Sequence, residues 1–441
     1  MLTKNSGMRA FSLCFLILMI AISMFAEQEL ATLVYPPFKH TWGIHKGTEA
    51  KLDMLLDNAT DFENPQCLAV TRLEAWDNPK TGKDDDELTA YGVNTGRNQI
   101  IYNISMYKLA LYGEKGSGEG QFNNPLGIAA DPKGDVFVCD FGNGRMVHLF
   151  NDGDGLEWQS SFGEDILEEP YDVAITEADT IFVTDRARGT IEVFDYSGKH
   201  LKTIENLVAP TSIDVDHKNV SNSRYAARFI MVAEGNGTQL SKLTYDGIQL
   251  NSADLNDITA NKGKFTYIAL DYYDNLWVTD SIACNIHKFD YKLNYITSFG
   301  EYGENDGQFD HPTGIAIWRR FGQTVVAESK SAQYMWLGSD ILSLNTENTV
   351  NRDGEPRLKI DMFLADRSYI TIDILKDDEP VRELYFKKRQ GQGNRILWWD
   401  LRNDDGRRVT PGVYTMKFTI EPTYSSYTYF SKTLTKQIEV E

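Results

Sequence analysis

Six copies of one strand–turn–strand unit, a second marker in phase with them, and alternating strands of different spacing near the C-terminus predict an all-β chain. The predicted architecture is a six-bladed β-propeller followed by a small immunoglobulin-like β-sandwich. The first marker is an acid, or an Asn in its place, closing an apolar strand: Asn94, Asp140, Asp185, Glu234, Asp280 and Glu328. Differences between those positions are 46, 45, 49, 46 and 48 residues, about the length of a four-stranded blade. The second marker is a short strand entered mostly through Pro: Pro65-Gln-Cys-Leu, Pro125-Leu-Gly-Ile, Pro170-Tyr-Asp-Val, Pro210-Thr-Ser-Ile, Phe265-Thr-Tyr-Ile and Pro312-Thr-Gly-Ile. One such sheet has two apolar faces and cannot cover both alone, so six of them stack around an axis. Small residues at Ala129, Ala174, Ala269 and Ala316 suit the crowded inner strands.

Taken in chain order, residues 1–26 read as an export signal. Lys4 and Arg9 give the positive start, an apolar run spans Phe11 to Phe25, and small residues near Ala21-Ile-Ser23 or Ala26 offer cleavage. The run is shorter than the ~20 residues of a spanning helix, so no membrane span is expected after cleavage. The expected location is periplasmic, cell-surface or secreted. Residues 27–64 form an N-terminal segment that is a candidate for closing the ring. Ala50–Leu56 can complete the sixth blade, or Asp340–Asn345 can, and the sequence leaves both open. Residues 65–348 are assigned to the propeller, 349–354 to a linker and 355–441 to the sandwich. Each anchor acid is expected to accept backbone N–H bonds from the turn that follows it.

Two family resemblances rest on these residues. Gly116-Ser-Gly-Glu-Gly-Gln-Phe-Asn-Asn-Pro-Leu-Gly-Ile-Ala129 and Gly303-Glu-Asn-Asp-Gly-Gln-Phe-Asp-His-Pro-Thr-Gly-Ile-Ala316 resemble the connection between blades in NHL-repeat proteins. The resemblance covers roughly residues 60–345 and is weakest in the first and fourth units, which carry inserts around Lys80–Glu87 and His217–Tyr225. The run from Trp399 to Tyr414, with Asp404-Asp-Gly406 and Pro411-Gly412, resembles the immunoglobulin-like module of the FlgD family. That resemblance implies a bacterial spacer or surface-docking domain. Leu401 departs from the family's usual Gly.

The formal net charge of −20 argues against a nucleic-acid partner. Cys67, Cys139 and Cys284 are widely spaced and read as buried thiols, not as a disulfide framework. The sequence has no HExxH, no Gly-x-Ser-x-Gly and no phosphate-cradling loop, so no catalytic or cofactor residue is assigned. Among the histidines, His148 and His287 are expected on strand surfaces, His311 in a structural turn, and His40 and His45 as a weak metal signal. Asn151-Asp-Gly-Asp-Gly155 and Lys83-Asp-Asp-Asp-Glu87 can offer Ca²⁺ ligands but read better as hairpin tips. The expected function is recognition of an extracellular or cell-surface protein or polymer by propeller-face loops. Tyr171, Arg186, Arg188, Thr211 and Thr313 are the candidate ligand-binding residues, with pairing to nearby carboxylates as the rival role for the two arginines. The alternative is a metal-dependent lyase or lactonase, a chemistry found on resembling six-bladed propellers.

Overall fold

Apolar side chains on both faces of every four-stranded unit demand cover on both sides, and the computed structural model supplies it with a closed ring. It describes residues 31–41, 43–77, 88–105, 108–216, 228–259, 263–350 and 354–441. The expected export signal and the two inserts lie outside the described residues. Five antiparallel four-stranded sheets occupy residues 65–112, 128–162, 170–204, 212–254 and 265–299, here blades 1 to 5, with strands a to d running outward from the axis. Blade 6 contributes Ile315–Trp318, Gln323–Ala327 and Ser331–Leu337. Each inner strand packs against the next, and that of blade 6 returns to that of blade 1.

The ring is closed by the N-terminal segment, in two pieces. Leu33–Val34 and Lys46–Thr48 both lie antiparallel on Ser331–Leu337, with Leu33 opposite Leu337 and Gly47 opposite Ala332. Both expected closing strands are therefore corrected. Ala50–Leu56 falls in the helix Glu49–Leu56, as suits a run of good helix formers without β-branching. Ile341–Val350 instead pairs with Pro356–Leu364.

That pairing also corrects the boundary at 348 and the linker at 349–354. Thr349 faces Arg357 and Val350 faces Pro356, so these residues close a hairpin of the C-terminal domain, which begins at Ile341. The domain is an immunoglobulin-like sandwich of a three-stranded sheet on a four-stranded one. Alternate residues fill its core: Leu358, Ile360, Met362 and Trp399 from one sheet, Ile370, Ile372, Ile374 and Phe418 from the other. Leu401 adopts a left-handed backbone, φ 57°, the conformation a Gly would accept freely. Its side chain is buried in that core, which offsets the backbone cost.

Blade 5 and the sandwich meet through a buried polar junction. Lys288 Nζ donates to Asp366 Oδ2 at 2.6 Å, and Tyr424 Oη lies 2.8 Å from both Asp366 Oδ2 and Asp271 Oδ2. A phenol has one proton to give, so it serves one carboxylate at a time. Trp277 Nε1 and Asn275 Nδ2 also donate to Asp271 Oδ2, and Tyr273 Oη sits 2.6 Å from Thr423 Oγ1. Beside this junction, Trp336 of blade 6 packs edge-on against both His40 and Tyr429. Lys288→Met removes the cation facing a fully buried carboxylate. It is expected to cost about 3–5 kcal/mol in urea unfolding, more than an exposed ion pair such as Lys133–Asp179, where ~0–1 kcal/mol is expected.

Candidate functional site

The six anchor side chains all do one thing. Each accepts the backbone N–H of a residue just before its own blade's inner strand: Asn94 from Glu63, Asp140 from Asn123, Asp185 from Glu168, Glu234 from Val208, Asp280 from Lys264 and Glu328 from Asp310, at 2.7–2.9 Å. The partners thus lie mainly on the incoming connection, while Asp185 and Asp280 also take N–H groups of the following turn. That turn needs a left-handed residue, supplied by Gly144 and Gly189 in blades 2 and 3 and by Cys284 in blade 5. The bonds fix where each inner strand enters the ring, and so fix one mouth of the axis.

Just inside that mouth, the third residue of each inner-strand motif meets its neighbours: Cys67, Gly127, Asp172, Ser212, Tyr267 and Gly314. A Cβ on Gly127 would lie 2.5 Å from Asp172 Cα, and one on Gly314 2.3 Å from Gln66 O, so the strands could not approach this closely with larger residues. Asp172 accepts from Ser212 Oγ at 2.6 Å, Ile213 N at 3.0 Å, Val173 N at 2.9 Å and Cys67 Sγ at 3.5 Å. Ser212 Oγ in turn accepts from Ile268 N. Tyr267 is buried, with its ring 6.3 Å from that of Tyr171. All of these side chains are buried, and the axis is filled at this level.

The five candidate binding residues divide. Tyr171 and Arg186 come together: the guanidinium lies 5.7 Å from the Tyr171 ring centre, 5.8 Å from that of Phe141, and pairs with Glu169 at 3.0 Å. Arg188 pairs separately with Glu192 at 3.8 Å. Thr211 is buried, with its hydroxyl on Ala233 O, and so offers no side chain to the surface. Thr313 is held in blade 6 by Ala327 and Gln66 carbonyls. The histidines are also engaged. His148 meets Asp135 at 2.7 Å, but His287 is only 1 % exposed, between Asp280 and Ser298, and is not a surface residue. His45 meets Asp306, and His311 meets Asp310. Cys67, Cys139 and Cys284 are free and buried. At the tip after Asn151, the Asn151 carboxamide donates to Tyr91 Oη and accepts from Gly153 N. The acidic run Lys83–Glu87 lies outside the described residues. Among the described residues, no three His, Cys, Asp or Glu side chains converge as metal ligands.

The opposite mouth, built from the turns that follow inner strands, holds a cavity of about 320 Å³. Thr71, Asp131, Lys133, Glu177, Trp318 and Arg319 are among its walls. Arg319 Nη2 donates to Asp214 Oδ1 at 2.8 Å and to Val215 O at 2.9 Å, while its Nη1 is buried without a partner. The buried Thr71 Oγ1 also lacks one. Asp131 accepts Gly134 and Asp135 N–H, and burial together with the charge of Asp135 pushes its carboxyl up to about 6. Tyr196 Oη reaches Asp131 Oδ2 at 3.4 Å. Sequence reasoning placed recognition at the other mouth and missed these residues. The signal available was Trp318-Arg319, an aromatic and a cation side by side where an inner strand gives way to its turn.

Residues 122–149 match the NHL repeat. They run from the connection at Phe122 through the third strand of blade 2. No curated protein matches the chain. Among solved structures it is similar to PorZ, a surface component of the type-IX secretion system of Porphyromonas gingivalis, at 13% identity over 84% of this chain and 51% of that one, TM-score 0.43. It is also similar to virginiamycin B lyase of Staphylococcus aureus, at 14% identity over 56% and 77% of the two chains, TM-score 0.41. A gluconolactonase of Xanthomonas campestris aligns at 12% identity over 69% of this chain and 97% of that one, TM-score 0.45. They assign this chain no activity.

The filled axis has a pH signature. Burial pushes the Asp172 carboxyl up to about 7, despite bonds from Ser212 and Ile213 that favour its charged form. The folded state therefore holds a proton that the unfolded chain releases near pH 4, and this contribution to stability is full below pH 4 and lost as pH rises through 7. Between pH 5 and pH 8, urea unfolding of the native chain should lose about 2.5 kcal/mol more than that of Asp172→Asn. Equal pH slopes would show that Asp172 does not titrate in this window.

Proposed function

We propose that the protein is an exported binding and scaffold protein, which takes a neutral polyhydroxylated ligand, such as the end of a surface saccharide chain, in the cavity of the Arg319 mouth. The observation that carries this reading is a pair of buried polar groups in one cavity, Thr71 Oγ1 and Arg319 Nη1, with no partner. A buried polar group without a partner is costly, and the hydroxyls of a polyhydroxylated ligand can supply partners. The walls fit that chemistry. Glu74, Asp131 and Glu177 stand against Lys133 and Arg319, so the lining is slightly acidic and favours a neutral ligand over an anionic one, and Trp318 and Tyr196 offer apolar ring faces. Both arginines of the opposite mouth already have carboxylate partners, which makes it a poorer place to capture an acidic polymer.

In this reading the sandwich, a FlgD-type module by resemblance, is a fixed spacer and docking domain. Its junction with blade 5 is buried and hydrogen-bonded, which suits rigid presentation. Ile396 and Trp398 lie exposed on the outer side of the edge strand Gly393–Trp399, and Phe386 is exposed on the neighbouring sheet, an apolar surface for a partner. Titration of the full chain with neutral and acidic oligosaccharides, read by tryptophan fluorescence, tests the binding half. Saturable binding of a neutral oligosaccharide is expected, weakened about tenfold in Thr71→Val, the equivalent of one lost hydrogen bond. Thr71→Val should fold at least as stably as the native chain, because the hydroxyl it removes has no partner. Native-like binding by that variant, or no saccharide binding at all, would refute the assignment.

A further inference from the structure

The blades repeat the same side-chain sizes at equivalent positions, and the seam between blades 6 and 1 breaks the repeat. Two residues before the anchor stand Val138, Val183, Val232, Val278 and Val326 in blades 2 to 6, and Gly92 in blade 1. Two residues earlier stand Val136, Ile181, Ile230, Leu276 and Thr324, and in blade 1 Ala90. On the facing wall, the third-strand residue opposite the one before the anchor is Ile100, Met146, Ile191, Leu240 and Ile286 in blades 1 to 5, and Ala332 in blade 6. These positions fill the other seams: Val183 and Ile181 meet Met146 between blades 2 and 3, and Val278 and Leu276 meet Leu240 between blades 4 and 5. Shortened side chains on both walls of one seam leave a cavity of about 220 Å³.

Its wall is almost entirely apolar and its course is long. It touches Pro65 on the first strand of blade 1, Gly92 on the second, Ile101 on the third and Leu109 on the fourth, roughly 14 Å at the spacing of paired strands. A dry cavity of ~150 Å³ already binds a small hydrocarbon. At the outer end lie Ile44 and Leu55, both exposed, and Lys51, whose Nζ donates to Lys46 O at 2.6 Å. We propose that this seam binds one extended alkyl chain bearing an anionic head, a fatty-acid carboxylate, with the chain between blades 6 and 1 and the head at Lys51. A lining that crosses four strands suits an extended chain, and Lys51, the one cation among the lining residues, selects the head group. This site is separate from the Arg319 mouth and does not depend on the saccharide reading.

The test uses the full chain and dodecanoate, added in competition with a fluorescent dansyl-undecanoate. One saturable site is expected. Gly92→Val restores the side chain of the other five blades, and Ala332→Ile fills the opposite wall. A Cβ on Gly92 meets the flexible Leu68 Cδ2 at 3.3 Å, so the larger residue has a neighbour able to give way. Each filled variant should lose at least about tenfold in affinity while melting at or above the native temperature. Lys51→Met should weaken dodecanoate about fivefold and leave dodecanol unchanged. Absence of saturable binding, or native affinity in either filled variant that folds, overturns the proposal; if neither folds, an unchanged preference for dodecanoate over dodecanol in Lys51→Met does so.

Discussion

The whole ring hangs on one hydrogen bond made six times, from a backbone N–H at the entrance of an inner strand to the side chain that ends the second strand of the same blade. An inner strand has its neighbours' inner strands on both sides, so its entrance is held from the second strand of its own blade. A carboxylate or carboxamide at the strand end accepts that proton and sets how far the strand slides along the axis. The positions of Asp172, Ser212 and Tyr267 follow from it, since each sits three or four residues past a pinned N–H. So does the filling of the axis at that mouth, whereas among the described residues the Arg319 mouth holds a cavity.

A second constraint links the ring to its C-terminal partner. Asp271 ends the inner strand of blade 5, and Asp366 lies between two sandwich strands; the Tyr424 hydroxyl stands between their carboxylates with Lys288 beside it. Removing charges from water is unfavourable unless they are paired and hydrogen-bonded, so the junction is stable only when both domains are in place. Ring and sandwich accordingly belong to one compact unit. The N-terminal segment joins the same corner through His40 and Tyr429.

Ring closure joins residues just over three hundred positions apart in sequence, with Leu33 opposite Leu337. Such a seam gains no help from a hairpin turn, and it is also the seam where Gly92, Ala90 and Ala332 replace larger residues. The other interfaces between blades carry Val, Ile, Leu or Met at those positions, except for Thr324 of blade 6.

The sequence by itself determined the number of blades, their boundaries in the middle of the chain and the anchor residues, because a period of about 46 residues repeats turn chemistry and apolar alternation that are both local. It also showed a C-terminal sandwich from Asp404-Asp-Gly406 and alternating Ile370, Ile372 and Ile374. Tertiary structure alone decided which segment closes the ring, where the sandwich begins, that His287 is buried, and that Thr211 gives its hydroxyl to a carbonyl. It alone brought Thr71 and Arg319 into one cavity, and Asp271 and Asp366 onto one phenol. Those outcomes depend on which distant strand lies opposite and on how much of a group it covers, and neither is encoded in a residue's immediate neighbours.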